Sequence, residues 1–384
     1  MTTAPHIVFV SSTTGGGSGR SQRELSRLLV DRGIDVTMLV DDGSGATWRR
    51  RLDEKLLDAT VRFAHRGPSR LVTRVRSMVA GPVRSRTIDG VEHQVSIEPE
   101  LHIDDILATG TDLVVGSSIS RPTWRLVTAT ARRHGVPTAL YLREASAIAH
   151  LERTGADLVL ANSHSLVDEA ESIGHVAHFL PSTVTVPVLD QPSTQAVALL
   201  VNPIETHGLR RVAALATARP DVPIVLQESW PLSGEQARAV ADLTARFENV
   251  TLRRRVEDNA ALFRDARVLL APHDIDNRPR TVLEAQANAI PVIASDQPGI
   301  RELVGDTGVL LPPAAPDTAW VDAVTSLWDD EARRRSLAAA GKSHAGRAEI
   351  RPDTVADRFL AIAGTVAQLD RTRASARPSS VPQT

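Results

Sequence analysis

The sequence predicts an α/β protein of two Rossmann-like halves, and three observations carry that expectation. Its 384 residues exceed what one hydrophobic core usually holds, about 250 to 300 residues, so two domains are the natural partition. Residues 6–40 alternate strand, glycine loop, helix and strand in the manner of a βαβ unit. A second series of this kind follows PSTVTVPVLDQPSTQA at 181–196, a stretch rich in proline, serine and threonine without helical periodicity.

The first strand is the apolar run 6–11, which leads into Thr13-Thr14-Gly15-Gly16-Gly17-Ser18-Gly19. Leu25, Leu28 and Leu29 then recur at helical spacing and predict a helix over 20–32, closed by Gly33 before the strand 34–40. Further strands are expected at 112–116, 137–142 and 158–161. Residues 48–104 are less regular and carry Arg49, Arg50, Arg51, Arg70, Arg74, Arg76, Arg84 and Arg86. They read either as a solvated, partly helical insertion or as a surface that docks an anionic partner.

In the second series, strands are expected at 197–201, 222–227, 250–252, 268–271, 291–294 and 308–310. Val355, Phe359, Leu360, Ile362, Ala363 and Val366 share one side of a last amphipathic helix over 353–369, and 371–384 has the composition of a loose tail. The expected divisions are therefore 1–182, 183–352, a helix at 353–370 and a tail at 371–384.

Composition narrows the classes of function. An apolar share of 42% and a charged share of 23% suit a soluble globular chain, and no apolar run approaches the roughly 20 residues needed to cross a bilayer. MTTAPHIVFV lacks a basic n-region and a small-residue cleavage site, so a secretory signal is not expected and the reading is cytoplasmic. With no cysteine there is neither a disulfide nor a thiolate metal site. A net charge of −2 exerts no global pull on nucleic acid, which is not an expected partner, or on anionic membranes, where any peripheral contact has to be local. Lysine occurs only at Lys55 and Lys342, so few sites can use a compact ammonium, and arginine is a poor substitute there.

The richest segment is APHDIDNRPRTVLEAQANAIPVIASDQPGIRELV, residues 271–304. It sets Asp276 and Glu284, eight positions apart (284 − 276 = 8), on either side of a strand-to-helix turn, where both carboxylates can accept from sugar hydroxyls. The segment resembles the donor-binding signature of the retaining GT-B glycosyltransferases, in particular glycosyltransferase family 4, the glycosyl transferases group 1. Glu284-Ala285, Pro291 to Ser295, Pro298-Gly299 and Glu302-Leu303-Val304 fit its pattern; Asp276 replaces a glutamate, Pro279 a glycine and Ile290 a small residue.

The resemblance implies a GT-B fold: two Rossmann-like domains facing across a cleft, with the C-terminal helix crossing back to the N-terminal domain. It implies that Asp276 accepts from a hydroxyl of the transferred sugar and Glu284 from the nucleotide ribose. Pro279 offers no amide, but proline is tolerated at a helix start, and Arg280 and Thr281 supply amides to an anion there. Asn202 and His207 hold the places of the arginine and lysine that clamp the donor phosphates. A histidine beside a diphosphate holds its proton to higher pH, so donor affinity is expected to vary between roughly pH 6 and 8; a surface histidine before a helix is the alternative. Of Arg253, Arg254 and Arg255, Arg254 is the chosen phosphate partner, against an ordinary solvated charge run, since alternate strand positions face opposite ways.

Gly16 and Gly17 lie in a loop whose bare amides, next to a helix start, suit a donor diphosphate, although a flexible turn is the alternative. The loop is neither a Walker A motif nor a dinucleotide fingerprint. The strand 137–142 ends in Arg143-Glu144-Ala145 where the family places a catalytic histidine or acid. Arg143 is assigned to a phosphate or an acceptor carboxylate and Glu144 to an acceptor hydroxyl, with a strand-end ion pair as the alternative. Asp274-Ile275-Asp276 spells a DxD, yet GT-B enzymes stabilise the leaving diphosphate with helix dipoles and cations, so no metal and no cofactor is expected. His175 and His178 have helical spacing but no third ligand, and Ser163-His164-Ser165 lacks a hydrolase elbow. The function expected is retaining, metal-independent transfer from a nucleotide-diphosphate sugar to the hydroxyl of a glycan, lipid-linked or small-molecule acceptor, with Arg143, Glu144 and Asp276 as the catalytic set. A sugar-nucleotide epimerase of the same fold and a degenerate, non-catalytic sugar-nucleotide binder are the alternatives.

Overall fold

The computed structural model describes residues 4–11, 16–41, 83–96, 99–151, 155–182, 189, 193–255 and 260–375. The chain divides into two compact units, one made of residues 1–162, 166–180 and 353–384, the other of 163–165 and 181–352.

Among the described residues the first unit holds β1 (His6–Ser11), β2 (Asp35–Asp41), β3 (Arg84–Ile88), β4 (Val91–Ser96), β5 (Leu113–Ser117), β6 (Thr138–Leu142), β7 (Leu158–Ala161) and β8 (Ala177–Phe179). They form one sheet in the order β3-β4-β2-β1-β5-β6-β7-β8. Every neighbouring pair is parallel except β3 with β4. Successive residues feed opposite cores: Val8, Val10, Val114 and Leu140 pack on one face, and Ile7, Phe9, Val115 and Tyr141 on the other. A sheet buried on both faces is written as unbroken apolar runs, which makes its central strands legible in the sequence.

The unit's helices are α1 (Gly16–Val30), α2 (Ile103–Leu107), α3 (Arg121–His134) and most of α4 (His164–Ser172). Ser120 starts α3 by accepting from the Thr123 amide, and Gly135 ends it at φ 67°. Trp124 of α3 lies so close to Gly116 that a Cβ there would come within 2.4 Å of its ring.

Several expectations change here. Helix α1 opens at Gly16 rather than at residue 20, taking Gly17, Ser18 and Gly19 into its first turns. Its buried stripe includes Ser21, Gln22 and Ser26, polar residues that an apolar count passes over. The stretch 84–96, expected to be partly helical insertion, is a hairpin closed by Asp89 and Gly90 at φ 54° and 78°. Positive φ at both central positions is the type I′ geometry that an Asp-Gly pair favours. Arg84 and Arg86 are exposed on β3, whereas Arg49, Arg50, Arg51, Arg70, Arg74 and Arg76 lie outside the described residues. His178 is on strand β8, so His175 and His178 do not share a helix face.

The second unit holds β9 (Val197–Val201), β10 (Ile224–Gln227), β11 (Val250–Arg253), β12 (Ala266–Ala271), β13 (Val292–Ser295) and β14 (Val309–Leu311). They are all parallel, in the order β11-β10-β9-β12-β13-β14. The order reverses between β9 and β12, which opens a crevice beyond their carboxyl ends. The sheet is covered by α5 (Arg211–Ala218), α6 (Gly234–Arg246), α7 (Arg280–Ala287), α8 (Pro298–Val304), α9 (Asp317–Asp329) and α10 (Glu331–Ala345), and again has a core on each face. Part of the expected linker belongs to this unit: Thr194 and Ala196 donate backbone bonds to Arg264 and Asp265. Residues 183–188 and 190–192 lie outside the described residues.

The last helix, α11 (Pro352–Ser375), groups with the first unit from Asp353 onward. There Val355, Phe359 and Val366 enter the core beside Phe9, with the rings of Phe9 and Phe359 6.0 Å apart. It runs to Ser375, past the expected end at 369–370, and 376–384 lies outside the described residues. No helix among the described residues is long and apolar enough to cross a membrane.

Candidate functional site

In the second unit the crevice is framed by the turns that leave β9 and β12. After β9 the chain turns sharply at Asn202, φ 56°, whose Oδ1 accepts from the amide and the hydroxyl of Ser229. At Gly208, φ 79°, a Cβ would meet the carbonyl of Pro272 at 2.5 Å, so only glycine lets the first turn lie against the second. The Asp274 amide donates to the Thr206 carbonyl at 2.9 Å, tying the two together.

His207 stacks face to face on His273, 4.2 Å between centroids and 8° between planes, and meets the edge of Trp230 at 5.9 Å. Its Nδ1 lies 3.1 Å from the Asn202 carbonyl, and the Nδ1 of His273 lies 3.0 Å from Asn277 Oδ1. Burial, reinforced by His207 alongside, pushes the His273 imidazole down to about 3 against the modest opposing bond from Asn277. His273 is therefore neutral at physiological pH.

Asp276 is half-buried with its Oδ1 accepting from the Gly299 amide at 2.8 Å; its Oδ2 takes a longer bond, 3.4 Å, from Ser165, which groups with this unit. Burial holds its carboxyl above the usual carboxylate range, with Glu302 adding repulsion and the two hydrogen bonds opposing. Glu284 stands differently. It is wholly buried on α7, and its Oε1 accepts from Arg280 Nε at 2.6 Å. The structure thus gives Asp276 and Glu284 separate partners.

Around them, Thr281 is part-exposed in the first turn of α7. Arg254 is exposed just beyond β11 and reaches Glu228 at 3.5 Å, while Arg253 is held by Asp265. The two carboxylates of the DxD part company, since Asp274 pairs with Arg210 at 3.0 Å. His273, Asn277, Gly299 and Ser229 were not among the expected site residues. His273, Asn277 and Gly299 lie within the segment 271–304, which was the signal that could have found them; Ser229 left none.

In the first unit, Arg143 lies over the Tyr141 ring at 4.9 Å and its carbonyl accepts from Asn162. Glu144 is exposed and accepts from Ser146 at 2.6 Å. Gly16 and Gly17 open α1, where the first amides have no intrahelical acceptor.

Residues 221–330 match the family described as glycosyl transferases group 1. Over 167 residues the chain is 29% identical to a D-inositol 3-phosphate glycosyltransferase of Segniliparus rotundus, covering 41% of this chain and 37% of that protein. Over 116 residues it is 30% identical to the protein of the same name from Corynebacterium diphtheriae, covering 30% and 26%. The chain thus spans well under half the length of these relatives. Among solved structures, the sucrose-phosphate synthase of Thermosynechococcus elongatus superposes with a TM-score of 0.69 at 16% identity, over 97% of this chain and 100% of that one. The Anabaena protein Alr3699/HepE in complex with UDP-glucose superposes with a TM-score of 0.65 at 13% identity, over 96% and 99%.

Proposed function

From the premise that this is a GT-B chain with a glycosyl transferases group 1 segment in its second unit, we propose that it moves a hexosyl group from a nucleotide-diphosphate sugar to an acceptor hydroxyl, with retention and without a metal. The observation that carries this reading is the joining of the two crevice turns, with Asp276 at their side as a half-buried carboxylate. It supports a donor seated across the ends of β9 and β12, its sugar against Asp276 and its diphosphate against His207, Asn202 and the first amides of α7 at Arg280 and Thr281. Arg254, exposed just beyond β11, is assigned to the same diphosphate. The protein then orients the donor and stabilises the charge that develops on the departing diphosphate. Gly16 and Gly17 of the first unit keep their expected role toward the donor diphosphate, and Arg143 and Glu144 theirs toward the acceptor.

A panel of UDP, GDP, ADP and TDP sugars tests the donor by thermal shift, because a ligand at a hundredfold excess over its dissociation constant adds about 2.7 kcal/mol of stability. Asp276→Asn is expected to bind the matching donor while losing at least about tenfold in kcat, since a charge-assisted hydrogen bond contributes about 1.5 to 3 kcal/mol. Product anomer by NMR and turnover in EDTA check retention and metal independence. A panel with no shift would remove the proposal. Glu284 needs gentler handling: Glu284→Ala breaks a buried ion pair with Arg280 and is expected to cost about 3 to 5 kcal/mol of stability. Glu284→Gln, compared with wild type by urea denaturation and donor affinity, separates ribose binding from that structural cost.

A further inference from the structure

We propose that Glu302 is a positioning residue: by holding the opening of α4 it fixes the Ser165 hydroxyl against Asp276 and keeps that carboxylate in one orientation. This deepens the sugar-transfer reading and rests on it for the use made of Asp276. The end of the acidic signature, Glu302-Leu303-Val304, is unused by the proposed reaction. Leu303 and Val304 are fully buried in the core, whereas Glu302 stays part-exposed.

Residues 163–165 group with the second unit although α4 starts there. The first amides of a helix have no acceptor within it, and here one carboxylate takes two of them. Glu302 Oε2 accepts from the His164 amide and Oε1 from the Ser165 amide, both at 2.8 Å, although Glu302 lies 137 residues beyond Ser165. Negative charge at a helix start is favourable. Ser163 Oγ lies 3.0 Å from Ser165 Oγ and can donate to it, which leaves the Ser165 proton for Asp276 Oδ2 at 3.4 Å.

The network closes through α8. Gly299, three positions before Glu302 and so on the same side of the helix, donates its amide to Asp276 Oδ1 at 2.8 Å. A Cβ at 299 would stand 2.9 Å from the Asn277 carbonyl and 3.1 Å from that Oδ1, so the approach needs glycine. One seven-residue helix thus sets both oxygens of Asp276, the first directly through Gly299 and the second through Glu302 and Ser165. Neighbouring charges are engaged elsewhere, Asp274 with Arg210 and Arg301 with Asp296. Burial and, to a smaller degree, repulsion from Glu302 hold the Asp276 carboxyl above its usual range, while the Gly299 and Ser165 bonds favour the ionised form.

A double-mutant cycle between Glu302→Gln and Ser165→Ala tests this on the full chain with two readouts: turnover of the donor that the thermal-shift panel selects, and ionisation of Asp276 followed by carboxyl carbon NMR. Ser165→Ala leaves the amide bonds to Glu302 in place and is expected to lower kcat about fivefold at unchanged donor KM, the loss of one hydrogen bond, with Ser165→Thr restoring it. Losing that donor also moves the ionisation of Asp276 to higher pH. Because Glu302 works through Ser165, both effects are expected to shrink at least about threefold when Ser165→Ala is made in the Glu302→Gln background. Should Glu302→Gln fail to fold, Glu302→Asp, which keeps the charge but draws it back from the amides, takes its place. Equal effects of Ser165→Ala in the two backgrounds, or a loss carried by KM instead of kcat, would overturn the positioning role. Coupled ionisation in a protein that binds no sugar nucleotide sinks sugar transfer and upholds that role.

Discussion

His273 shows how a single residue couples the crevice to pH. Its imidazole is held near 3 in the fold against an ordinary value near 6.5, so the folded state favours the neutral form. The corresponding stability is complete above about pH 6.5 and drains away as the pH falls toward 3, because the unfolded chain then binds the extra proton. Denaturation midpoints between pH 7 and 4 are expected to fall in wild type with a contribution of up to about 1.4 kcal/mol per pH unit from this group, and to fall less steeply in His273→Phe. A parallel decline in both proteins would exclude His273. His93, His102 and His344 are also held low by burial and act in the same direction, so the variant must be compared against that shared slope.

At the scale of elements, the turn between α7 and β13 shows the cost of a missing glycine. Ala289 sits at φ 56°, a region that glycine enters freely and alanine does not. The turn keeps that shape because Ile290 is buried in the core and its amide donates to Ala285 while the Ala289 amide donates to Gln286. Ala289→Gly is therefore expected to raise stability by about 1 kcal/mol or less, the relief of strain less glycine's entropy. Urea midpoints decide it, and a drop would show that the alanine methyl packs usefully. The same scale explains the opening of α1. Serine and glutamine on its buried stripe leave no apolar period for the first turns, so the helix start at Gly16 was hidden while its leucine-rich end was plain.

Over the whole chain, α11 belongs energetically to the unit that the N-terminal residues build. Phe359 is 1% exposed and stacks on Phe9, and Arg32 holds Asp353 and Asp357 at 3.0 Å. Those exposed ion pairs contribute little; the buried ring contributes most. Phe359→Ala is expected to cost about 3 to 5 kcal/mol, concentrated in the first unit, so hydrogen exchange should quicken in β1 and β2 and stay unchanged in β9 and β12. Uniform quickening would instead make the chain one cooperative block.

Periodicity and punctuation alone determined most of the alternation of strands and helices, the leucine-rich end of α1, the amphipathic last helix and the acidic signature around Asp276 and Glu284. Each is encoded locally, in residues that neighbour one another along the chain. Tertiary structure decided what depends on partners far apart in sequence: that Asn202 holds Ser229, that His207 rests on a neutral His273, and that Ser18 meets Ser118. Hydrogen bonding and stacking act over a few ångströms of space, and parallel strands bring such residues together only once the sheet has set their order.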